Sequence, residues 1–385
     1  MGKDSVEARR AALTSGDGAN EPMSQQIRHN PSWTLAIPLL GIAVLMLSWL
    51  APGMPGIVAL LVLGLIGSVI ASVHHAEVIA HRVGEPFGTL VLALAVTVIE
   101  VALIVSMMLS GGEATSGLAR DTVFAAVMII LNGIVGASLL FGGRRHGVQG
   151  FKLEGVNAAL GTLTVIVVFT LIVPNYSTSA PGPVYTDSQL LFVAVATLAL
   201  FAAFTVFQTI RHRDYFLPTD EDLSDPDEHA TQPTTAEALA SLGLLLVALV
   251  AVVLSAKGIS PSIESALDAA GAPAATVGIL IAAIVLLPES FAAIRAAHAN
   301  RLQTSLNLAI GSAIASIGLT IPTVAVLSVI MGWELALGVD AKSTVLLVLS
   351  LFVVSISLRT GRTTMLPGMV HMVMFAAYLF LSFVP

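Results

Sequence analysis

Two glutamates stand in the middle of long apolar segments. Glu100 lies within LVLALAVTVIEVALIVSMML and Glu289 within GILIAAIVLLPESFAAIRAA, whereas the other 22 of the 24 acidic residues fall in tails, loops or helix ends. A carboxylate at the centre of a bilayer costs about 2.5–3.5 kcal/mol or more. Ionisable residues at such positions usually serve an ion or proton pathway, although a single buried glutamate can also be purely structural.

Oxygen-bearing side chains accompany both glutamates. Thr97 shares a helical face with Glu100, Asn132 interrupts the next apolar run, and Ser312 and Ser316 follow Glu289 one helical turn apart. Such hydroxyl groups can also simply bond back to their own helix. The predicted cation- and proton-binding residues are Glu100, Glu289, Asn132, Ser312, Thr97 and Ser316, with Glu100 and Glu289 as the metal ligands.

This set of residues suits a hard cation and a proton. Ca²⁺ takes about 6–8 oxygen ligands, which two carboxylates, neutral oxygens and water can supply. The chain has no cysteine, and we expect no histidine at the depth of the glutamates, which argues against zinc or copper. Burial favours a protonated carboxyl group and a bound cation favours the carboxylate, so protons and cations compete for the same oxygens. Competition becomes exchange when the site opens to each side in turn.

The composition defines the class of protein that must position these residues. The chain has 385 residues, of which 56% are hydrophobic and 11% charged, and its mean hydropathy is +0.91. Too little polar surface is available for a soluble domain, so the lipid bilayer is the expected partner. Nothing in the chain combines a basic patch with interleaved aromatic residues, which argues against nucleic acid. The sequence predicts no oligomeric state.

The apolar runs predict an all-α polytopic protein with 11 transmembrane helices. Each run is close to the 20 residues that cross a bilayer core of about 30 Å. Prolines and a glycine at 52–55 separate the first two spans, and the ninth is too rich in small residues to be one regular helix. The predicted spans are 33–51, 54–73, 87–109, 120–142, 155–174, 189–208, 236–256, 273–298, 304–331, 341–357 and 364–384.

The spans divide into a leading helix and two repeats. Because each repeat has an odd number of helices, the second repeat is inverted relative to the first, and Glu100 and Glu289 hold the same place in each. The predicted segments are a disordered cytoplasmic tail at 1–32, the leading helix at 33–51, the first five-helix repeat at 52–208, an acidic cytoplasmic linker at 209–235 and the second five-helix repeat at 236–385.

Charge predicts the orientation in the membrane. With the N-terminus in the cytoplasm and the C-terminus outside, only Arg120, Lys257 and Lys342 of the 17 basic residues face outward. This bias is what the positive-inside rule requires. We therefore expect an integral protein of a bacterial inner membrane.

A histidine-rich stretch precedes the third predicted helix. Histidine changes charge near neutral pH, so this loop is a candidate for pH sensing or ion access, and a plain polar interfacial turn is the alternative. The residues concerned are His74, His75, Glu77, His81 and Glu85.

At this point the sequence resembles a known family. The segment LPESFAAIRAAHANRLQTSLNLAIGSAIASIGLTIP, residues 287–322, resembles the second signature repeat of calcium/proton antiporters of the cation exchanger (CAX) family, and VTVIEVALIVSM, residues 96–107, resembles the first. The likeness extends over roughly 33–385 and is greatest to the bacterial sodium–calcium/proton antiporters of the Cha type, within the calcium/cation antiporter superfamily. It implies that Glu100 and Glu289 are the central acids. In that family the residues Gly-Asn-Ala commonly precede each glutamate. In this chain Thr-Val-Ile precedes Glu100 and Leu-Pro precedes Glu289.

The expected function is secondary active transport rather than catalysis. Ca²⁺, with Na⁺ and K⁺ as alternatives, would leave in exchange for H⁺ by alternating access, and no resident cofactor is expected. The alternatives are a proton-coupled transporter of another small solute, an intramembrane enzyme and a channel. Aromatic residues are only 6% of the chain, and the chain contains neither a His-Glu-x-x-His nor a Gly-x-Ser-x-Gly motif.

Overall fold

The computed structural model describes residues 31–51, 54, 56–84, 87–111, 115–217, 233–269, 271, 273 and 275–384. This part of the chain is almost wholly helical, as the sequence predicts. Its helices are α1 Trp33–Leu50, α2 Ile57–Val83, α3 Phe87–Gly111, α4 Leu118–His146, α5 Leu153–Tyr176, α6 Asp187–Arg211, α7 Thr235–Ala269, α8 Ala275–His298, α9 Leu302–Met331, α10 Ala341–Ser357 and α11 Met365–Phe383.

Nine of the described helices are long and apolar enough to cross a membrane, and α3 and α10 contain shorter apolar segments, Ala93–Leu109 and Ala341–Ser357. The predicted number of helices is therefore confirmed. The predicted tail at 1–32 lies almost entirely outside the described residues, and so does most of the predicted acidic linker.

One predicted boundary is wrong, since helix α2 extends to Val83 instead of ending near residue 73. Helix α7 continues to Ala269, and its apolar part, Thr235–Ile259, corresponds to the predicted span 236–256. In α2 the extension contains polar residues, but Val73, Ala76 and Ala80 lie on one face and are buried. Their helical spacing maintains the apolar face past the point where the overall composition becomes polar.

The expectation that the ninth span is irregular is also wrong, since α9 is one continuous α-helix that passes through Pro322. Small residues along it, including Ala309, Ala313 and Ser316, are buried, because they allow neighbouring helices to approach closely. Irregular segments occur in α4, α5 and α6 instead of α9. A π-helical segment, Ile129–Ile134, interrupts α4 and contains Asn132. Two further π-helical segments, Val168–Ile172 and Phe207–Arg211, lie near the ends of α5 and α6.

The helix contacts follow the pattern that two inverted repeats require. Helix α2 packs on α7. Helix α3 packs on α9, and its counterpart α8 packs on α4 in the same way. Likewise α6 packs on α9, and its counterpart α11 packs on α4. Exchanging α2 with α7, α3 with α8, α4 with α9 and α6 with α11 maps this set of contacts onto itself. Helix α9 thereby contacts both glutamate-bearing helices.

Close helix contacts depend on glycine at particular points. A Cβ atom on Gly278 of α8 would lie 2.7 Å from a backbone carbon of Asp121 in α4. A Cβ atom on Gly136 of α4 would lie 2.8 Å from the Cβ atom of His371 in α11. Short strands β1 Gln149–Gly150 and β2 Arg362–Thr363 pair antiparallel and join the loops at the ends of α4 and α11.

Candidate cation and proton site

Glu100 is buried in α3, where 3% of its surface is exposed, and its side chain reaches α9. The hydroxyl group of Ser316 donates a hydrogen bond of 2.7 Å to Oε1 of Glu100. A short hydrogen bond to a carboxyl oxygen helps to offset the loss of water around a buried acid. The first predicted carboxylate thus lies against a predicted partner from the opposite half of the chain.

Glu289 repeats this arrangement from α8. It is as buried as Glu100, and the hydroxyl group of Ser312 lies 3.4 Å from its Oε1 atom. Ser312 and Ser316 are four residues apart on α9, which corresponds to a rise of about 6 Å. The two carboxyl groups therefore approach the same face of α9 at consecutive turns.

One carboxyl oxygen at this site, Oε2 of Glu289, is buried and has no hydrogen-bond partner among the described residues. Oγ1 of Thr320 also has none there, and it lies one turn beyond Ser316 and two turns beyond Ser312 on α9. The only salt bridge in the described part of the chain joins Arg120 to Asp121, so neither glutamate is paired with a basic residue there. Buried charge without a basic partner requires a proton or a cation to neutralise it.

Thr97 and Asn132 make different contacts from those predicted. Thr97 is buried one turn before Glu100, but its hydroxyl group donates to the carbonyl oxygen of Ala93, within its own helix. Asn132 is completely buried and its amide group bonds to α10 and α11, not to either glutamate. The structure therefore brings together four of the six predicted residues through hydrogen bonds: Glu100, Glu289, Ser312 and Ser316.

The partners of Asn132 were missed from the sequence. Nδ2 of Asn132 donates to Oγ of Ser350 at 2.8 Å, and Oδ1 lies 3.1 Å from Nδ1 of His371. Both partners are fully buried. The expectation that no histidine lies deep among the predicted ligands is therefore wrong. The signal was available, since His371 stands within the predicted span 364–384.

The histidine-rich stretch is not a loop. His74, His75, Glu77 and His81 lie in the last turns of α2, and Glu85 lies outside the described residues. The ring of His74 lies 5.6 Å from that of Trp33 and 5.7 Å from that of His75. His75 is fully buried, whereas Glu77 and His81 are exposed. This cluster lies on α2 and is separate from the site on α9.

Other metal chemistry finds no support in the described residues. Within them, no three histidine, aspartate or glutamate side chains form a group that could hold a metal ion. A cavity of about 320 Å³ lies between the ends of α4, α8, α10 and α11, and its lining contains none of the predicted site residues. The geometry therefore favours a site of two carboxyl groups and neutral oxygens.

Comparison with known proteins shows the family to which the chain belongs. The sequence profile of the family described as sodium/calcium exchanger protein matches residues 54–210 and 240–384. The chain belongs to this family. The two matched regions cover the two halves of this sodium/calcium exchanger family member, one on each side of the segment 211–239. It is therefore an integral membrane cation transporter.

Two curated relatives match this family member over nearly its whole length. The protein y4hA of Sinorhizobium fredii is 47% identical over 360 residues, which are 93% of this chain and 97% of the relative. The sodium-potassium/proton antiporter ChaA of Escherichia coli is 36% identical over 369 residues, which are 95% of this chain and 100% of the relative.

Two solved structures share the fold. Native YfkE has a TM-score of 0.71 at 16% identity and covers 91% of this chain and 100% of its own. The H⁺/Ca²⁺ exchanger CAX has a TM-score of 0.68 at 16% identity, with 90% of this chain and 87% of that one covered.

Proposed function

We propose that this protein is a cation/proton antiporter that exports Ca²⁺, or Na⁺ and K⁺ as the other candidates, in exchange for H⁺. One observation carries the proposal. Two buried carboxyl groups from opposite halves of the chain meet α9 at consecutive turns, through Ser316 and Ser312. Neither has a basic partner among the described residues.

The charge of this pair supports exchange. Two carboxylates carry a charge of −2, which two protons, one Ca²⁺ ion or two monovalent ions neutralise equally. Leaving the pair charged in a buried site is unfavourable. Proton loading and cation loading are therefore alternative ways to stabilise the same site, and we infer that one Ca²⁺ ion replaces two protons.

The free carboxyl oxygen supports direct ligation of the cation. Oε2 of Glu289 is buried without a partner among the described residues, so a cation can use it without breaking a protein hydrogen bond there. Ser312 and Ser316 can offer lone pairs while their hydroxyl groups still donate. Ca²⁺ accepts a flexible shell of such oxygens, completed by backbone carbonyl groups and water.

The matched proteins support a proton as the counter-ion. ChaA is named a sodium-potassium/proton antiporter and the structural match CAX an H⁺/Ca²⁺ exchanger. The pseudo-symmetric helix contacts support alternating access, in which one repeat moves against the other around a fixed site. The histidine cluster at the end of α2 is proposed as a pH-sensing or ion-access element, because three histidines there share less than three turns of helix.

Ion-driven proton movement tests the proposal directly. Everted membrane vesicles are given an acidic interior, and CaCl₂, NaCl and KCl are added in turn while a fluorescent dye reports the pH gradient. We expect the transported cation to dissipate the gradient in the wild type. Glu100→Gln and Glu289→Gln, each produced and inserted at the normal level, should abolish this response.

Glu154→Gln is the matched control, because it removes an exposed carboxyl group from the first turn of α5. It should exchange as the wild type does. Normal exchange in either buried-site variant would refute the two-carboxylate mechanism. The absence of a response to all three cations in wild-type vesicles that still hold a pH gradient would refute cation/proton exchange itself.

A further inference from the structure

The polar cluster formed by Asn132, Ser350 and His371 lies between α4, α10 and α11 and has no place in the mechanism above. All three residues are fully buried. Its members come from both halves of the chain, since Asn132 belongs to the first and the other two to the second. A buried polar cluster in an apolar bundle normally has a definite task, because unsatisfied members are costly.

The hydrogen bonds define the orientation of the Asn132 amide group. The hydroxyl proton of Ser350 is directed to the carbonyl oxygen of Leu346 at 2.7 Å, so Oγ of Ser350 accepts from Nδ2 of Asn132. Oδ1 of Asn132 must then face Nδ1 of His371, and this nitrogen carries the proton that is donated. Nε2 of His371 has no partner among the described residues. The hydrogen bond to Asn132 is thus the one that orients the imidazole ring there.

Asn132 lies in the π-helical segment of α4, Ile129–Ile134. The other two π-helical segments, in α5 and α6, lie near helix ends, whereas this one is followed by 12 more residues of helix, Val135–His146. Single π-turns inside an α-helix often occur at functional sites. This segment packs against α8 and α9, which carry Glu289 and the serine pair, as well as against α10 and α11. The orientation of Asn132 can therefore influence the shape of α4 next to the cation site.

The counterpart contact in the other half lacks this cluster. Where α6 packs on α9, the side chain of Phe201 lies against Gly318, and a Cβ atom there would be 2.7 Å from that of Phe201. Where α11 packs on α4, the corresponding close contact brings His371 against Gly136. The close contact with glycine alone thus does not require a histidine at position 371.

We propose that His371, together with Ser350, is a positioning residue for cation binding: it holds the Asn132 amide group in one orientation and so fixes the π-helical segment of α4 where it packs against α8 and α9. The inference rests on the proposed cation/proton exchange and adds a residue that does not touch the carboxyl groups. Its effect on the cation should pass through Asn132. Partners that orient a metal ligand directly contribute about 10–100-fold to metal affinity. Because His371 acts through Asn132 and not on a carboxyl group, we expect an effect at the lower end of this range.

Cation dependence of exchange in His371 variants tests the proposal. His371→Leu removes the donor and should raise the half-saturating cation concentration about tenfold. His371→Asn places an amide N–H where Nδ1 stood and should stay within about threefold of the wild type. Equal damage in both variants would show that the volume of the side chain matters and its hydrogen bond does not, which would overturn the proposal.

A double-mutant cycle adds a readout that a merely structural role would not move. The double variant Asn132→Ala/His371→Leu should have the same half-saturating cation concentration as the single variant Asn132→Ala, because His371 acts through Asn132. If the effects of the two single substitutions multiplied in the double variant, the proposal would be contradicted. Wild-type kinetics in His371→Leu would contradict it too.

Ser350→Ala and Ser350→Thr extend the test if His371→Leu does not fold. The alanine variant should mimic the loss of His371 and the threonine variant, which keeps the hydroxyl group, should not. Exchange that persists in Glu100→Gln would instead contradict the proposed function, so the two failures are distinguishable.

Discussion

Ser316 and Ser312 make unequal hydrogen bonds to the two glutamates. The bond to Glu100 is 2.7 Å long and the bond to Glu289 is 3.4 Å long, close to the limit of a hydrogen bond. Glu289 also has a free oxygen atom. At the scale of single residues, Glu100 is therefore the better-anchored carboxyl group, and Glu289 is the one with more freedom to reach a cation or a proton.

This inequality predicts different effects of removing each hydroxyl group. A hydrogen bond to a charged group contributes about 1.5–3 kcal/mol, so Ser316→Ala should raise the half-saturating cation concentration about tenfold or more. Ser312→Ala should raise it about threefold, since its bond is long. Both values come from the cation dependence of proton release in vesicles. Thr323→Ala, whose hydroxyl group bonds to Leu319 in its own helix, is the control and should change little. A larger effect from Ser312→Ala would reverse the assignment of the anchored glutamate.

The residues of the candidate site are easier to predict from the sequence than their partners. Glu100, Glu289, Ser312 and Ser316 are conspicuous as polar side chains in apolar runs, and helical spacing places them on defined faces. Asn132 is conspicuous for the same reason, but spacing along α4 does not show which neighbouring helix its side chain faces. The contact of His371 with Asn132 is not predictable in this way, because the two residues are far apart in the sequence and neither lies next to a buried glutamate.

At the scale of helices, the apolar runs predict the eleven helices of the described residues, whereas helix ends and irregularities are predicted poorly. From its composition the polar end of α2 is predicted to be a loop, although its backbone stays helical and one of its faces is buried. The π-helical segment that interrupts a helix lies in α4 and not in the glycine- and serine-rich α9, and two more lie near the ends of α5 and α6. The segment in α4 contacts α10 and α11 through Asn132, and contacts of this kind cannot be inferred from the local sequence.

The contact between α4 and α11 predicts a stability difference between two glycine substitutions. Gly136→Ala would place a Cβ atom 2.8 Å from that of His371 and 3.3 Å from the backbone nitrogen of Met372. Overpacking of this kind costs about 1–3 kcal/mol, so the melting temperature in detergent should fall. Gly161→Ala in α5 has nothing within 4 Å of the added atom and should leave the melting temperature unchanged or raise it, because alanine favours helix. Equal melting temperatures would mean that the two helices can separate locally at little cost.

At the scale of the whole molecule, competition between protons and cations predicts a pH dependence of binding. Protons occupy the carboxyl oxygens at low pH, so cation affinity should increase as pH rises through the range in which the pair loses its protons. If one Ca²⁺ ion displaces two protons, its dissociation constant should fall by up to about 100-fold per pH unit, against about tenfold for one Na⁺ ion per proton. Isothermal titration calorimetry of purified protein at several pH values measures this slope. Affinity that does not change with pH would exclude a shared site.

Orientation in the membrane can be tested at the same scale, because the chain contains no cysteine and single cysteines can be labelled without background. Val148 and Tyr176 are exposed residues near opposite ends of α5. The distribution of basic residues places Val148 in the cytoplasm and Tyr176 outside. A membrane-impermeant maleimide should therefore label Tyr176→Cys in intact cells, and Val148→Cys only after permeabilisation. The reverse pattern would invert the whole molecule and, with it, the side from which protons reach Glu100 and Glu289. The unmodified protein is the negative control. Glu334→Cys is the positive control, because Glu334 is exposed and the same topology places it outside.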